Sequence, residues 1–292
     1  MKTTTFNEKY EYMDDEPINA DAYGQIYRIR DKKVKTEYIL KKLRKNDPDN
    51  NITGTNEKTF VNELNFLINV KGTNIINIID YYFNQNDKYY YLILEKMDGD
   101  LSMMLNKNKN GMSSNLIRKI FSQINSGLKI MIDNNKTHRN LKPENILFSY
   151  TNDKKTDFII KIGDFGLSTD LKSTKTASNT GTELFKAPEV GNEKYSNKCD
   201  LYSIGIILYM LKTGEYIFEG KNYMDTLINK KSNKMKKDTD DEKLNSLIKK
   251  LVVFDPHKRM EWKDYFEDPF FKVNDEDIKE SEECKIKIKY FR

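Results

Sequence analysis

The feature that most constrains this chain is a polar octapeptide between strongly apolar segments. Residues 138–145 read His-Arg-Asn-Leu-Lys-Pro-Glu-Asn, and the strand-like run Ile160-Lys161-Ile162 leads into Gly163-Asp164-Phe165-Gly166, with Asp164 19 positions after Asn145. Before the octapeptide, apolar residues recur at threes and fours, which predicts a core-facing helix begun by the serines at 113 and 114. These are Ile117, Ile120, Phe121, Ile124, Leu128 and Met131. One octapeptide is a modest signal, so its meaning depends on the order and spacing of other motifs.

Five further segments accompany it in a fixed order. Two precede the octapeptide and three follow it. They are Tyr38-Ile39-Leu40-Lys41, Phe60-Val61-Asn62-Glu63-Leu64, Ala187-Pro188-Glu189, Lys198-Cys199-Asp200-Leu201-Tyr202-Ser203-Ile204-Gly205 and Asp255-Pro256-His257-Lys258-Arg259.

In this order and at these distances, the segments resemble the signatures of eukaryotic protein kinases of the serine/threonine type, over residues 10–272. The resemblance implies an α+β, bilobal protein-kinase fold, with a small antiparallel-sheet lobe carrying one main helix and a larger, mostly helical lobe. The kinase domain would cover residues 1–272, with the small lobe at 10–95, a hinge at 95–98 and the large lobe at 99–272. Residues 273–292 would form a C-terminal tail.

The resemblance also implies ATP and Mg²⁺ as cofactors, and it assigns residues to them. Lys41, paired with Glu63, would hold the phosphates, and Asn145 and Asp164 would hold magnesium. Lys142 would face the transferring phosphate. In the large lobe, the aspartate of the 198–205 segment would hold the octapeptide from beneath, and the arginine of the 255–259 segment would pair with the glutamate of Ala-Pro-Glu.

Further residues would contact the nucleoside. Leu94 would be the gatekeeper, main-chain groups of Glu95 and Met97 would bind the adenine edge, and Asp100 is a candidate for the ribose hydroxyls. The remaining contacts, from the phosphate-covering loop and the apolar walls, would come from Ile18, Gly24, Ile26, Ile39 and Leu147. The hinge positions also have an ordinary structural interpretation as a strand end followed by a turn.

The chain departs from the family pattern in three places. Asn140 stands where the family carries its catalytic aspartate. In the phosphate-covering loop only the last of three glycines remains, with Asn19 and Asp21 at the other positions. Ile39 replaces a small alanine and adds three carbons beside the adenine position. An asparagine amide accepts a hydrogen bond but is not a useful base near neutral pH.

These departures leave two hypotheses open. The favoured one is a pseudokinase or strongly impaired serine/threonine kinase that binds Mg·ATP. The alternative is an active serine/threonine kinase that tolerates Asn140, or a chain in which Asn140 was engineered, although engineering would not explain Asn19, Asp21 or Ile39. Gly181-Thr182 resembles the substrate-docking turn, and a polar cluster offers candidate phosphate acceptors for Arg139 to read. The cluster contains Ser173, Thr174, Thr176, Ser178 and Thr180.

Local patterns predict three further elements. Phe60, Leu64 and Leu67 recur at helical spacing, which predicts a helix over 59–70, and the polar segment 46–56 before it predicts a loop. The polar residues between Phe148 and Phe158 predict a hairpin loop.

Composition limits the partners. The 292 residues carry 50 basic and 45 acidic side chains, a formal net charge of +5, which is weak evidence for a polyanionic partner. The densest basic run, Lys230 to Lys237, is followed by acidic residues and predicts a solvated segment, so no nucleic-acid partner is expected. The implied partner is a protein substrate or an allosteric protein.

Compartment and metal use are predicted from a few residues. The longest apolar run, 204–211, is far shorter than the roughly 20 residues that span a bilayer, so no membrane insertion is expected. Two cysteines and the absence of an apolar leader predict a reducing intracellular compartment, most simply the cytoplasm. The two histidines and two cysteines are scattered along the chain and do not form a structural zinc motif of the usual kind, so no transition metal is expected. The alternating segment 285–290 predicts a strand or a frayed tail.

Overall fold

The chain folds into two compact lobes in a computed structural model. The small lobe comprises Met1–Met97 and Phe165–Leu167, and the large lobe comprises Asp98–Asp164 and Ser168–Arg292. The residues described are 5–20, 24–46, 54–55, 57–83, 87–165, 169–170, 184–190, 196–218, 223–232 and 235–272. Asp21, Gly166, Gly181, Thr182, the polar cluster at 173–180 and the tail at 273–292 lie outside these residues.

The small lobe is built on a six-stranded antiparallel sheet. The strand order is β1-β3-β4-β6-β5, with β2 paired to β3. The strands are β1 (Tyr10–Tyr12), β2 (Asn19–Ala20), β3 (Gly24–Asp31), β4 (Glu37–Arg44), β5 (Ile78–Tyr82) and β6 (Tyr89–Glu95).

The alternation of side chains gives this sheet two different faces, because neighbouring residues of a strand point to opposite sides. On one face, Tyr27, Ile29, Leu40 and Ile93 pack into a buried cluster. The opposite face carries Lys41, since it follows Leu40 in β4. The strand pattern thus separates a packed aromatic layer from a face that presents a charged residue.

A short N-terminal helix, α1 (Phe6–Lys9), covers the aromatic face, and the sequence patterns did not predict it. Phe6 is buried, and its ring centroid lies 5.2 Å from that of Tyr91 and 5.9 Å from that of Tyr82. The Nζ of Lys9 lies 2.6 Å from Asp80 Oδ2 in β5. A helix of four residues is too short to show a helical period, which explains why pattern analysis missed it.

The predicted helix of the small lobe is α2 (Glu57–Asn69). It begins two residues before the predicted start, and its buried face contains Phe60, Glu63 and Leu67. In the predicted loop before it, the described residues include Thr55, which forms a parallel bridge with Lys45. The helical spacing of the apolar residues was therefore a sound guide, while the helix boundary was not.

The large lobe is mostly helical, as the resemblance implied. Its helices are α3 (Leu101–Lys107), α4 (Ser114–Asp133), α5 (Lys198–Thr213), α6 (Tyr223–Lys231), α7 (Glu242–Leu251) and α8 (Trp262–Phe266). The side chain of Ser113 accepts a hydrogen bond from Leu116 N and caps α4, which confirms the predicted start of that helix.

Helix α5 is buried along almost its whole length. Leu201, Ile204 and Leu208 are at most 1% exposed. A Cβ at Gly205 would lie 2.5 Å from a methyl carbon of Val252, so a side chain larger than hydrogen would push α7 away. No helix among the residues described is long and apolar enough to cross a membrane.

Short strands connect the helices of the large lobe. They are β7 (Gly99–Asp100), β8 (Lys136–Thr137), β9 (Ile146–Tyr150), β10 (Phe158–Ile162) and β11 (Thr169–Asp170). Strands β9 and β10 form the predicted hairpin, with Phe158 opposite Tyr150. Strand β7 pairs with the other edge of β9. Strand β9 begins directly after the octapeptide, and β10 ends directly before the segment that contains Asp164.

The described lysines of the basic run at 230–237 differ in exposure. Lys236 and Lys237 are exposed, as predicted, and both contact Glu215. Lys230 is only 8% exposed and donates to the backbone oxygen of Lys186, so the prediction of a solvated side chain is wrong for this residue.

Candidate functional site

A buried ion pair joins β4 to α2 in the small lobe. Lys41 Nζ lies 2.7 Å from Glu63 Oε1, with the two side chains 15% and 3% exposed. Glu63 points inward because it lies on the same helical face as Phe60 and Leu67. The pair holds an ammonium group in a fixed position on the face of the sheet opposite the aromatic cluster.

Phe165 packs beneath the same helix. Its ring is 1% exposed and lies 4.2 Å, centroid to centroid, from the ring of Phe66 in α2. The sequence motif placed Phe165 next to Asp164 but gave no partner for it. The tilted ring pair packs Phe165 on α2, one helical turn after Glu63.

In the large lobe, the octapeptide is hydrogen-bonded to a buried carboxylate at the start of α5. The backbone N–H groups of His138 and Arg139 donate to the two carboxylate oxygens of Asp200, each over 2.7 Å. Asp200 is 2% exposed, and its burial raises the pKa of the carboxyl above the ordinary value. Arg139 has a φ of 66°, a left-handed conformation that these bonds support.

A closed series of hydrogen bonds then joins the octapeptide to the Asp-Phe-Gly turn. The Asn140 N–H donates to His138 Nδ1 over 3.3 Å, so His138 Nε2 carries the proton and donates to Gly163 O over 2.9 Å. Gly163 N–H donates to Asn145 O over 2.9 Å, and Asn145 Nδ2 donates to Asn140 O over 2.7 Å. The backbone at Asn140 is thus fixed from both sides.

The side chain of Asn140 adds a further link. Its Nδ2 donates to Asp164 Oδ2 over 3.2 Å. Asp164 has a φ of 59°, which is unusual for a residue with a side chain. An aspartate at position 140 would instead place a second carboxylate beside Asp164.

A second buried ion pair lies within the large lobe. Arg259 Nη1 and Nη2 donate to the two carboxylate oxygens of Glu189 over 2.6 and 3.0 Å, and the Arg259 side chain is fully buried. The predicted pairing of these residues is confirmed.

The protein-family model described as "Protein kinase domain" matches residues 12–271. This chain belongs to the protein kinase family. The kinase domain is 33% identical to calcium-dependent protein kinase 4 of Plasmodium falciparum (isolate 3D7) over 275 residues, which are 92% of this chain and 50% of the relative. It is 28% identical to the serine/threonine-protein kinase atg1 of Dictyostelium discoideum over 275 residues, 91% of this chain and 40% of the relative. The chain therefore spans half or less of the length of these relatives.

Two oxygen-bearing side chains of the kinase domain fit a magnesium ion. The amide nitrogen of Asn145 is committed to a carbonyl oxygen, so its side-chain oxygen is the atom that can face a cation. Asp164 supplies a carboxylate in the same lobe. No group of three or more His, Cys, Asp or Glu side chains suited to a metal occurs among the described residues. One carboxylate and one amide agree with magnesium, which keeps several waters and takes substrate phosphates as ligands.

The residues predicted to contact adenine from the small lobe lie on two neighbouring strand pairs. Ile26 is directly opposite Lys41, and Ile39 is directly opposite Leu94. These side chains share the face that carries the ion pair. Ile18 is 53% exposed at the start of the β2–β3 hairpin, and its backbone N–H donates to Ile26 O.

Gly24 is the first residue of β3, and the packing around it explains why this residue is glycine. A Cβ there would lie 2.7 Å from the backbone oxygen of Lys42. The close approach of β3 to β4 accounts for glycine at this position without any ligand.

The hinge residues also have local structural roles. The backbone N–H of Glu95 donates to Asn77 O over 3.1 Å, so its contact to adenine would use the carbonyl oxygen. Met97 is half-buried at the end of the small lobe. In the large lobe, Asp100 caps α3 by accepting from Met103 N, and it lies opposite Leu147 in the pairing of β7 with β9.

Sequence reasoning missed two groups that hold the site together. The ring of Phe66 and the imidazole of His138 each make one of the central contacts described above. A buried histidine inside the octapeptide could have been suspected from its position, but its partner Gly163 lies 25 residues away. Lys142, predicted to face phosphate, is half-buried, and its backbone oxygen accepts from Asn145 N over 3.0 Å.

Proposed function

We propose that this chain is a kinase-fold signalling protein that binds Mg·ATP and transfers phosphate to protein hydroxyls slowly or not at all. The observation that carries the proposal is the amide of Asn140, which donates to Asp164 within the large lobe. The Lys41–Glu63 pair and the Asp200-bound loop support nucleotide binding.

Each ligand group has residues of suitable chemistry. The phosphates would meet the ammonium group of Lys41, oriented by Glu63. Bound magnesium would neutralise phosphate charge, and Asn145 and Asp164 would hold it through oxygen atoms. The base and ribose would contact the apolar and hinge residues, namely Ile18, Gly24, Ile26, Ile39, Leu94, Glu95, Met97, Asp100 and Leu147.

The reduced transfer follows from the chemistry of the amide. Asn140 Nδ2 donates to Asp164, so the amide oxygen is the atom available to a substrate hydroxyl. That oxygen can orient the hydroxyl but cannot take its proton near neutral pH. Loss of a general base costs about 10²- to 10⁴-fold in rate.

An active serine/threonine kinase is the second candidate, because several residues that would position reactants are retained. Phosphoryl transfer has a loose transition state, in which positioning and charge neutralisation contribute most of the catalysis. The ion pair in the small lobe, Phe165 packed on Phe66 and Lys142 beside Asn140 favour this candidate. The name of the Dictyostelium relative, a serine/threonine-protein kinase, suggests the class of acceptor.

The decisive experiment compares the wild-type chain with Asn140→Asp. Thermal shift with Mg·ATP measures binding, and transfer of radiolabelled phosphate to a general protein substrate measures catalysis. We expect both proteins to be stabilised by Mg·ATP, and we expect transfer to rise at least about 10²-fold in Asn140→Asp.

Two controls make the result specific. Lys41→Met should lose both binding and transfer, and Asp164→Asn should lose transfer in the Asn140→Asp background. Rapid transfer by the wild-type chain would refute impaired catalysis and support the second candidate. No stabilisation of any variant by Mg·ATP would refute nucleotide binding.

The proposal also includes an intracellular, reducing compartment, most simply the cytoplasm, and a protein partner, either a substrate or an allosterically regulated protein. The half-buried Lys142 and the Asn140 amide are the groups that an acceptor hydroxyl would approach. Co-purification of the tagged chain from cells under reducing conditions, followed by a transfer assay on the captured protein, would separate a substrate from an allosteric partner.

A further inference from the structure

The amide of Asn140 has an orientation with a consequence for metal binding. Its backbone is held at both ends, because its N–H donates to His138 Nδ1 and its oxygen accepts from Asn145 Nδ2. From this fixed backbone, Asn140 Nδ2 donates to Asp164 Oδ2 over 3.2 Å.

The bond supports Asp164 in a conformation that side chains disfavour. The φ of Asp164 is 59°, and a residue in this region persists only where its surroundings hold it. Asn140 supplies a neutral donor to this carboxylate. If position 140 were aspartate, that donor would be replaced by a second carboxylate, and the two like charges would repel each other.

The same bond opposes the binding of a cation. The hydrogen atoms of the amide carry partial positive charge and lie against Asp164 Oδ2. A cation that approaches this carboxylate must share that oxygen with the N–H group or displace it. Replacing aspartate by asparagine also removes one negative charge from the site.

We propose that Asn140 is a positioning residue that holds Asp164 in place without metal and lowers the affinity of the site for Mg²⁺. The inference rests on the proposed function only in taking Asp164 as a magnesium ligand. It keeps Asp164 ordered in the metal-free protein and makes saturation with Mg²⁺ harder to reach.

Three variants test the two effects separately. Asn140→Ala removes the donor without adding charge, and Asn140→Asp removes the donor and adds a carboxylate. Asn106→Asp adds the same charge on an exposed position of α3 and serves as the matched control. Melting temperature in EDTA, the Mg²⁺ concentration that gives half-maximal stabilisation, and hydrogen exchange at 163–165 are measured on the full chain without nucleotide.

We expect Asn140→Ala to melt about 2–4 °C below wild type in EDTA, and Asn140→Asp to melt lower still. Exchange at 163–165 should be faster in both. With Mg²⁺ alone, the half-maximal concentration should fall at least 3-fold for Asn140→Ala and at least 10-fold for Asn140→Asp, by the scale on which about 1.4 kcal/mol is tenfold. Asn106→Asp should match wild type. A purely structural role would lower melting temperature without strengthening the response to metal.

Two outcomes would overturn the inference. An unchanged melting temperature and exchange rate of Asn140→Ala in EDTA would remove the positioning role. An unchanged Mg²⁺ response of Asn140→Ala, beside a stronger response of Asn140→Asp, would assign the metal effect to charge alone. Absence of any Mg²⁺ response in all variants would likewise refute the effect on metal affinity. Because no nucleotide is present, these results do not depend on whether the chain binds ATP.

Discussion

Replacement of Asp200 by asparagine isolates the support beneath the octapeptide. The carboxylate accepts two backbone N–H groups, from His138 and Arg139, each over 2.7 Å. Asparagine has nearly the same shape but one acceptor and one donor. One N–H group would keep its partner, and the other would face the amide nitrogen.

The magnitude follows from this count. Losing a hydrogen bond to a charged group and leaving a buried N–H unpaired together cost roughly 3–5 kcal/mol. Part is recovered because the neutral amide avoids the desolvation that raises the pKa of Asp200. We therefore expect Asp200→Asn to lower the free energy of unfolding by about 2 kcal/mol, or roughly 4 °C in melting temperature for a chain of this size.

Asp98 offers a matched control, because its carboxylate also accepts two hydrogen bonds, from Tyr150 N over 2.8 Å and Ser149 Oγ over 2.9 Å, but is exposed. Both bonds reach the same oxygen, Oδ2, whose place the amide oxygen of asparagine can take, so Asp98→Asn should cost about 0.5 kcal/mol or less. Urea unfolding gives the free energies, and hydrogen exchange reports the amides of residues 138 and 139 directly. Equal costs for the two variants, with unchanged exchange at 138 and 139, would show that Asp200 does not support the loop.

Three other substitutions test separate parts of the molecule. Phe6→Ala should lower the free energy of unfolding, measured in urea, by about 2–3 kcal/mol, because it leaves a cavity in the aromatic layer under α1. Phe6→Leu should cost less than about 1.5 kcal/mol. Equal costs for the two variants would contradict packing as the cause. Lys41→Met should abolish the thermal shift with Mg·ATP, while Lys42→Met, whose ammonium lies 4.4 Å from the ring centroid of Tyr89 on the opposite face, should retain it. Two lysines hold the pKa of Glu215 at about 2, below its ordinary value of 4.5, so its stabilising contribution is complete above pH 4.5 and is lost as the pH falls from 4.5 towards 2. Urea unfolding across this range should show a shallower acid loss for Glu215→Gln, and an unchanged slope would refute the ion pairs.

The sequence predicted the elements whose signal is local and repeated. Helix α4 follows from apolar residues at threes and fours and a serine cap, and the β9–β10 hairpin follows from two apolar runs around a polar loop. Motif order predicted the Lys41–Glu63 pair across 22 residues and the Arg259–Glu189 pair across 70 residues. Helix α1 and the burial of Lys230 had no such signal, and the predictions there were absent or wrong.

By itself, the sequence determined the family, the two-lobed fold and the chemical character of position 140. An asparagine carries an amide instead of a carboxylate, whatever surrounds it. Only the tertiary structure decided what that amide does, because its orientation depends on His138, Asn145 and Asp164, which the fold brings together. The direction of a hydrogen bond is a property of where the donor and acceptor lie in space, and no spacing along the chain records it.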